Sequence, residues 1–328
     1  MKYEFEAQKF MTNTEQHRHL SMSQLREKMA MTVEKVKRIE SAEFIYEKLI
    51  AKGLITVVAA PPNGGKTTIA MHMARLMALK GFQVFYIDFD SSGVHIGEYF
   101  KYTHHANIEY WTEIDTDLDA HGLINQLVQA SKLDSHQSEC VYIFDTLKKF
   151  TNLMNKGKVA EFMNKMRSIT RNGATVLLLA HTNKRPESDG CYLFEGVGDV
   201  KNDCDNLFYL LPMKNDDGSL TVTVDLGDNS KKKALLEPCT FIIQSDRTVK
   251  LSQEYATPES IINYENDKSE IEILLRILRN KSLNETTLIE VAQQEGISRR
   301  QCRRILRSYN FWHVTKGEKN ATLYSLEE

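Results

Sequence analysis

The run LITVVAA, residues 54 to 60, passes without a break into PPNGGK and then into TTIAMHMARLMALK, and this order constrains the fold more than any other stretch. An apolar strand that ends in a glycine-containing turn and restarts as a helix aims several backbone N–H groups and a helix N-terminus at one point. That point is a concave site for an anion. Ala60, Pro61, Pro62, Asn63, Gly64, Gly65, Lys66 and Thr67 fit the phosphate-loop pattern of Gly or Ala, four free positions, then Gly-Lys-Ser/Thr, with Thr68 continuing the contact set. Lys66 is expected to reach the outer phosphates of ATP, and the Thr67 hydroxyl to ligate Mg²⁺.

Further apolar runs follow at helical intervals: QVFYIDFD, CVYIFD and ATVLLLAH. Continuous apolar strands separated by helices indicate an α/β fold with a mostly parallel sheet covered on both faces. After Asn206, the segments LFYLLP, SLTVTVDL, CTFIIQ and TVKLS, punctuated by DDG and DRT, read as strands or hairpins closing one edge. Residues 1–45 read as an N-terminal helical arm, with helical periodicity from about Ser21 to Leu49. Residues 46–255 form the expected core, 256–268 a polar linker, and 269–328 a small separate unit.

A metal-bound triphosphate also requires a carboxylate on a neighbouring strand, and Asp145 ends the run VYIFD where it is expected to hold Mg²⁺. Asp88 and Asp90 end YIDFD. Asp90, beyond the strand, is favoured to polarise the attacking water, with Asp88 as a supporting acceptor; the alternative is that both cap the following turn. His181, just past the strand of LLLAHTNK, is the candidate sensor of the γ-phosphate, against a plain exposed loop histidine.

The order of phosphate loop, acidic strand end, Asp145-Thr146-Leu147-Lys148-Lys149-Phe150 and His181-Thr182-Asn183-Lys184 resembles RecA-fold hexameric helicases, most closely the RepA-like replication helicases of plasmids and other mobile elements. The resemblance spans about residues 35 to 255. It implies a RecA-like P-loop core, a homohexameric ring with ATP at each interface, and movement along single-stranded DNA. It also implies the roles already given to Lys66, Thr67, Asp145, Asp90 and His181. Two places depart from the family: Asp90 stands where Glu is common, and VKNDCDNLFYL holds Asp205 where a finger arginine is expected. Lys231 and Lys233, from the triplet after SLTVTVDL, are the candidate substitutes acting on a neighbouring subunit.

In such a ring two loops should face the DNA, offering Lys148, Lys149, Lys156 and Lys158 from the first and Lys184 and Arg185 from the second. In the C-terminal unit, Ser298 to Gln301 reads as a capping box, and Arg300, Arg303, Arg304 and Arg307 recur at helical spacing opposite Cys302, Ile305, Leu306 and Tyr309. With a hairpin carrying Lys316 and Lys319, this resembles a winged helix-turn-helix. Its arginine face is expected on DNA, the alternative being a protein contact.

A net charge of -2 excludes a globally basic nucleic-acid coat, so DNA contacts must be local patches. Five scattered cysteines without a CxxC pair argue against a disulfide framework or zinc site and fit a reducing cytoplasm, and no run approaches the roughly 18 apolar residues of a membrane span. A ParA-like partition switch would need a lysine where Pro61 stands. An ATP-controlled DNA-binding regulator or helicase loader without unwinding activity stays open as the alternative.

Overall fold

The computed structural model describes residues 21–33, 43–134, 136–183, 194, 199–215, 217–279, 281–309, 311–317 and 321–326. The chain divides into two units, Met1–Glu43 and Phe44–Glu328. In the first, helix α1 (Met22–Met29) begins at Ser21, whose hydroxyl accepts the Gln24 N–H while the Gln24 side chain accepts the Ser21 N–H. The long helix expected from Ser21 to Leu49 is not formed at its far end. Phe44–Tyr46 (β1) and Ile50–Ala51 (β2) pair antiparallel instead, with Glu47 left-handed at φ 38° in the turn. Ile45, Tyr46, Leu49 and Ile50 are buried in the core, and that burial outweighs local helical preference.

The second unit holds a ten-stranded sheet among the described residues. Its strands are β3 (Ile55–Ala60), β4 (Gln83–Asp88), β5 (Glu109–Trp111), β6 (Cys140–Asp145), β7 (Thr175–His181), β8 (Asn206–Lys214), β9 (Leu220–Asp225), β10 (Lys231–Lys232), β11 (Thr240–Ile243) and β12 (Val249–Leu251). The spatial order is β12-β11-β9-β8-β3-β7-β6-β4-β5, with β10 beside β8. From β8 to β5 every pairing is parallel, while β9, β11 and β12 join antiparallel at one side, as the hairpin signals predict. The parallel strands are linked through α2 (Lys66–Leu79), α3 (Val94–His105), α4 (Ala120–Leu133), α5 (Lys156–Arg171) and the short α6 (Asp199–Asp203).

Successive side chains of a strand point to opposite sides, and the central strands β3 and β6 are buried along their whole length, so the sheet is covered on both faces there. Val58 and Ala60 of β3 pack with α2 through Ile69, Met73 and Met77. Ile55, Val57 and Ala59 face the other layer, which contains Ile124 and Leu127 of α4 and Phe162, Met166 and Ile169 of α5. The parallel strands therefore open at a common carboxyl edge, with Ala60 beside His181 and Asp88 beside Asp145. Open α/β sheets bind ligands at that edge.

The stretch expected as a linker, 256–268, is mostly helix. It forms the first half of α7 (Pro258–Leu278), with the Thr257 side chain accepting the Ser260 N–H and Pro258 in the first turn. Its buried stripe runs Ile261, Tyr264, Asp267, Ile271, Leu274, Leu278, and the aspartate breaks the apolar pattern that would have revealed it. Asp267 is tolerated inside because Arg304 grips both carboxylate oxygens and the Tyr309 hydroxyl donates to it at 2.9 Å.

The same helix serves two cores. Ile261 packs into the second layer of the large sheet, while Ile271, Leu274 and Leu278 pack with α8 (Glu285–Gln294), α9 (Arg299–Ser308), Trp312 and Tyr324. Strands β13 (Leu283–Asn284), β14 (His313–Lys316) and β15 (Thr322–Ser325) form a separate sheet in the order β13-β15-β14. Arg304→Ala is expected to cost about 2 kcal/mol by stranding Asp267, read as a lower denaturant midpoint at unchanged slope. Arg300→Ala, on the exposed side of α9, is expected to change stability by less than about 0.5 kcal/mol.

Candidate functional site

Pro61 to Gly65 turn the chain from β3 into α2. Asn63 and Gly65 are left-handed, at φ 60° and 79°, and the Gly64 N–H closes the turn onto the Pro61 carbonyl at 3.0 Å. The left-handed backbone at Gly65 favours glycine, and a side chain there would meet the tip of Ile243 of β11. Pro61 and Asn63 to Thr68 line a cleft of about 430 Å³ with Asp90, Tyr99, His181, Leu220, Ile243 and Arg247. Of the expected contact set, Ala60 is buried at the strand end and Pro62 is exposed, and neither lines the cleft.

At the base of the cleft three donors converge on Asp145. The Lys66 Nζ donates at 2.9 Å, the Thr67 hydroxyl at 2.8 Å and the Tyr86 hydroxyl at 2.7 Å. Burial alone would lift the pKa of this carboxyl, but the Lys66 ammonium and the hydroxyls of Tyr86 and Thr67 hold it below the usual carboxylate range. Tyr86 is pushed well above an ordinary phenol, first by burial and then by Asp145, so it stays a donor.

Thr67 and Asp145 offer two hard oxygen donors, and no cluster of three or more His, Cys, Asp or Glu suited to a metal occurs among the described residues. A donor set this small fits Mg²⁺, which takes one or two protein oxygens and completes its shell with phosphate and water.

Asp88 and Asp90 separate in role. Asp88 is 1% exposed; one oxygen accepts the N–H groups of Asp90 and Ser91 at 2.9 Å each, and the other accepts the Tyr110 hydroxyl at 2.7 Å. It therefore shapes the turn that presents Asp90. Asp90 reaches the cleft and faces two lysines, Lys149 at 3.5 Å and Lys148 at 3.8 Å, which the sequence assigned to DNA. Both cations stand on a tight turn directly after Asp145 (Leu147–Lys149).

His181 lines the cleft, and its Nδ1 is buried with no hydrogen-bond partner among the described residues. Burial first, then the Lys66 and Lys148 charges, lowers its pKa, so the ring is neutral near pH 7.

The finger candidates lie elsewhere. Lys231 and Lys232 pair with Asn206 and Leu207 at the amino end of β8, across the sheet from the phosphate loop. Lys231 donates to the Asn202 carbonyl, and Lys233 binds Asp205 at 2.8 Å. Neither reaches this chain's own cleft. Asp205, standing where arginine was sought, is a buried acceptor for the Ile55 N–H at 3.0 Å and Arg167 at 2.6 Å.

Lys156 and Lys158 fall in the first turn of α5, with Lys158 3.7 Å from Glu161. Lys184, Arg185 and Lys319 lie outside the described residues. The expected face of four unpaired arginines on α9 is partly neutralised: Arg304 is held by Asp267 and Arg303 by Glu285 at 3.0 Å, while Arg300 and Arg307 are exposed. The capping box at Ser298 is one-sided, because the Gln301 side chain donates to Glu270 instead. Lys316 on β14 is exposed.

Sequence reasoning missed Tyr86, Tyr110, Tyr99 and Arg247. Tyr86 sits in the apolar run QVFYIDFD, Tyr99 and Tyr110 sit outside any motif, and Arg247 belongs to the turn DRT.

Comparison with known proteins places this geometry among P-loop ATPases. The AAA domain family matches residues 23–187, just over half of the chain. Among solved structures, the flagellar accessory protein FlaH from Methanocaldococcus jannaschii aligns at 14% identity and TM-score 0.44 over 62% of this chain and 92% of that one. A second solved structure, itself an isolated ATPase domain, aligns at 13% identity and TM-score 0.44, over 66% and 94% respectively. No curated protein matches the chain.

Proposed function

The chain belongs to the AAA domain family, a P-loop ATPase domain, and from that premise we propose that it is an ATP-driven helicase or translocase acting on single-stranded DNA. The reading includes a homohexameric ring of the RepA-like kind, serving replication of a plasmid, phage or other mobile element. The single observation that carries it is the turn Leu147–Lys149, which sets Lys148 and Lys149, the cations we propose for DNA, against Asp90 in the nucleotide cleft.

In this arrangement one N–H of Lys66 and the Thr67 hydroxyl are given to Asp145. An incoming triphosphate draws Lys66 and the loop N–H groups to its own oxygens. Bound beside Thr67 and Asp145, Mg²⁺ would neutralise charge on those oxygens. Asp90 then orients water and accepts its proton, and His181 offers an uncommitted ring nitrogen to the cleft. A DNA backbone competes with Asp90 for Lys148 and Lys149, freeing the carboxylate for that work. Beside these lysines runs a groove of about 770 Å³ that also takes in Phe89, His121 and Asn152. The winged helix-turn-helix reading of α7 to α9 adds Arg300, Arg307 and Lys316 as further DNA contacts.

The experiment is hydrolysis and forked-duplex unwinding with and without a single-stranded oligonucleotide. Wild type is expected to hydrolyse ATP faster on DNA and to separate the fork. The Lys148→Ala, Lys149→Ala double variant is expected to lose the stimulation while keeping its unstimulated turnover or exceeding it. DNA-stimulated hydrolysis without strand separation would favour the second reading, an ATP-controlled DNA-binding regulator, to which the short side chain of Asp90 also points. Hydrolysis indifferent to DNA in the wild type would overturn the proposal.

A further inference from the structure

The hairpin between β11 and β12 reaches the phosphate loop, and its tip carries an arginine into the cleft. The Gln244 N–H bonds the Thr248 carbonyl at 2.8 Å, the Arg247 N–H bonds the Gln244 carbonyl at 2.8 Å, and Asp246 accepts the Thr248 N–H at 2.8 Å. These bonds fix Arg247 at φ 67°, a conformation in which glycine or asparagine is the usual choice. Below the tip, Ile243 rests against Gly65 of the loop.

The arginine is only loosely held. Its guanidinium is 3.6 Å from Glu98, both side chains are more than half exposed, and Glu98 is shared with His95 at 3.7 Å. Exposed pairs of this kind bind weakly and are readily exchanged for a stronger anion. Arg247 lines the same cleft as Lys66, Thr67, Asp90 and His181, so its guanidinium borders the space that the phosphates of a nucleotide held by Lys66 would enter.

We propose that Arg247 supplies, from within the same chain, a guanidinium contact to the terminal phosphate of the bound nucleoside triphosphate, leaving Glu98 for it. The inference rests on the nucleotide reading of the cleft and deepens it. It also answers the absence of an arginine at position 205: the cation over the outer phosphates comes from a hairpin on the same subunit. Because Ile243 presses on Gly65, the hairpin that carries Arg247 is in contact with the loop whose occupancy it would sense.

The test compares the binding of a fluorescent non-hydrolysable triphosphate analogue and of fluorescent ADP, both with Mg²⁺, to wild type and Arg247→Asn. Asparagine accepts the left-handed backbone, so the hairpin is retained. The expected result is about a tenfold loss of triphosphate affinity with ADP affinity unchanged within about twofold. Equal loss for both nucleotides, or no loss for either, would overturn the proposal and leave the nucleotide site standing. Failure of the wild type to bind either nucleotide would overturn both.

Discussion

Lys66→Ala is expected to lower the melting temperature of the nucleotide-free protein as well as abolish nucleotide binding. Asp145 is fully enclosed and is kept ionised by the Lys66 ammonium at 2.9 Å, with help from Tyr86 and Thr67. Removing the cation leaves a buried carboxylate without a counter-charge, a change that costs about 3 kcal/mol, or roughly 5 °C in a unit of this size.

The pH dependence identifies the cause. In the wild type the carboxyl is held below the usual range, so its contribution is present above the unfolded value of about 4 and is lost only as the pH falls through the lower folded value. In the variant the Tyr86 and Thr67 hydroxyls remain but the counter-charge is gone, so burial, the largest influence, raises it. The penalty then applies above the unfolded value and disappears as the carboxyl takes up a proton. The gap in melting temperature between the two proteins should therefore narrow from about pH 8 to about pH 5. A gap that is constant or absent would mean that the ion pair is not what keeps Asp145 ionised.

Asp90→Asn should separate turnover from binding. Its carboxylate lies in the cleft beyond the strand end, while the turn that presents it is held by Asp88 and is untouched by the substitution. Loss of a positioned base costs about a hundredfold or more in kcat, whereas triphosphate affinity, set by the loop and Lys66, is expected to change by less than about threefold. Asp88→Asn should behave differently, because one of its oxygens accepts the Tyr110 hydroxyl and the other the turn itself. It should lower stability together with turnover. Equal turnover in Asp90→Asn and wild type would remove Asp90 from the chemistry.

The core strands, the phosphate loop and Asp145 are legible in the sequence because each is a local pattern: an apolar run, a glycine turn, a polar residue at a strand end. What escaped depends on partners far along the chain. The stripe of α7 is interrupted at Asp267, and only Arg304 and Tyr309, about forty residues on, make that position buried. The strands at Phe44–Tyr46 and Ile50–Ala51 are too short to show a period and exist because their side chains fill the layer under α2. Tyr86 looks like another aromatic in a buried strand until the register sets β4 beside β6, and Arg247 gains a role only once its hairpin folds over the loop.

The most direct measurement is a calorimetric titration of the wild-type protein with ATP, in Mg²⁺ and again with the metal chelated, alongside Lys66→Ala. Saturable ATP binding that weakens on chelation, and that vanishes in Lys66→Ala, is the predicted result. Absence of ATP uptake by the wild type in Mg²⁺, or uptake equally strong in Lys66→Ala, would contradict the assignment of the cleft between Lys66, Thr67 and Asp145 as the nucleotide site.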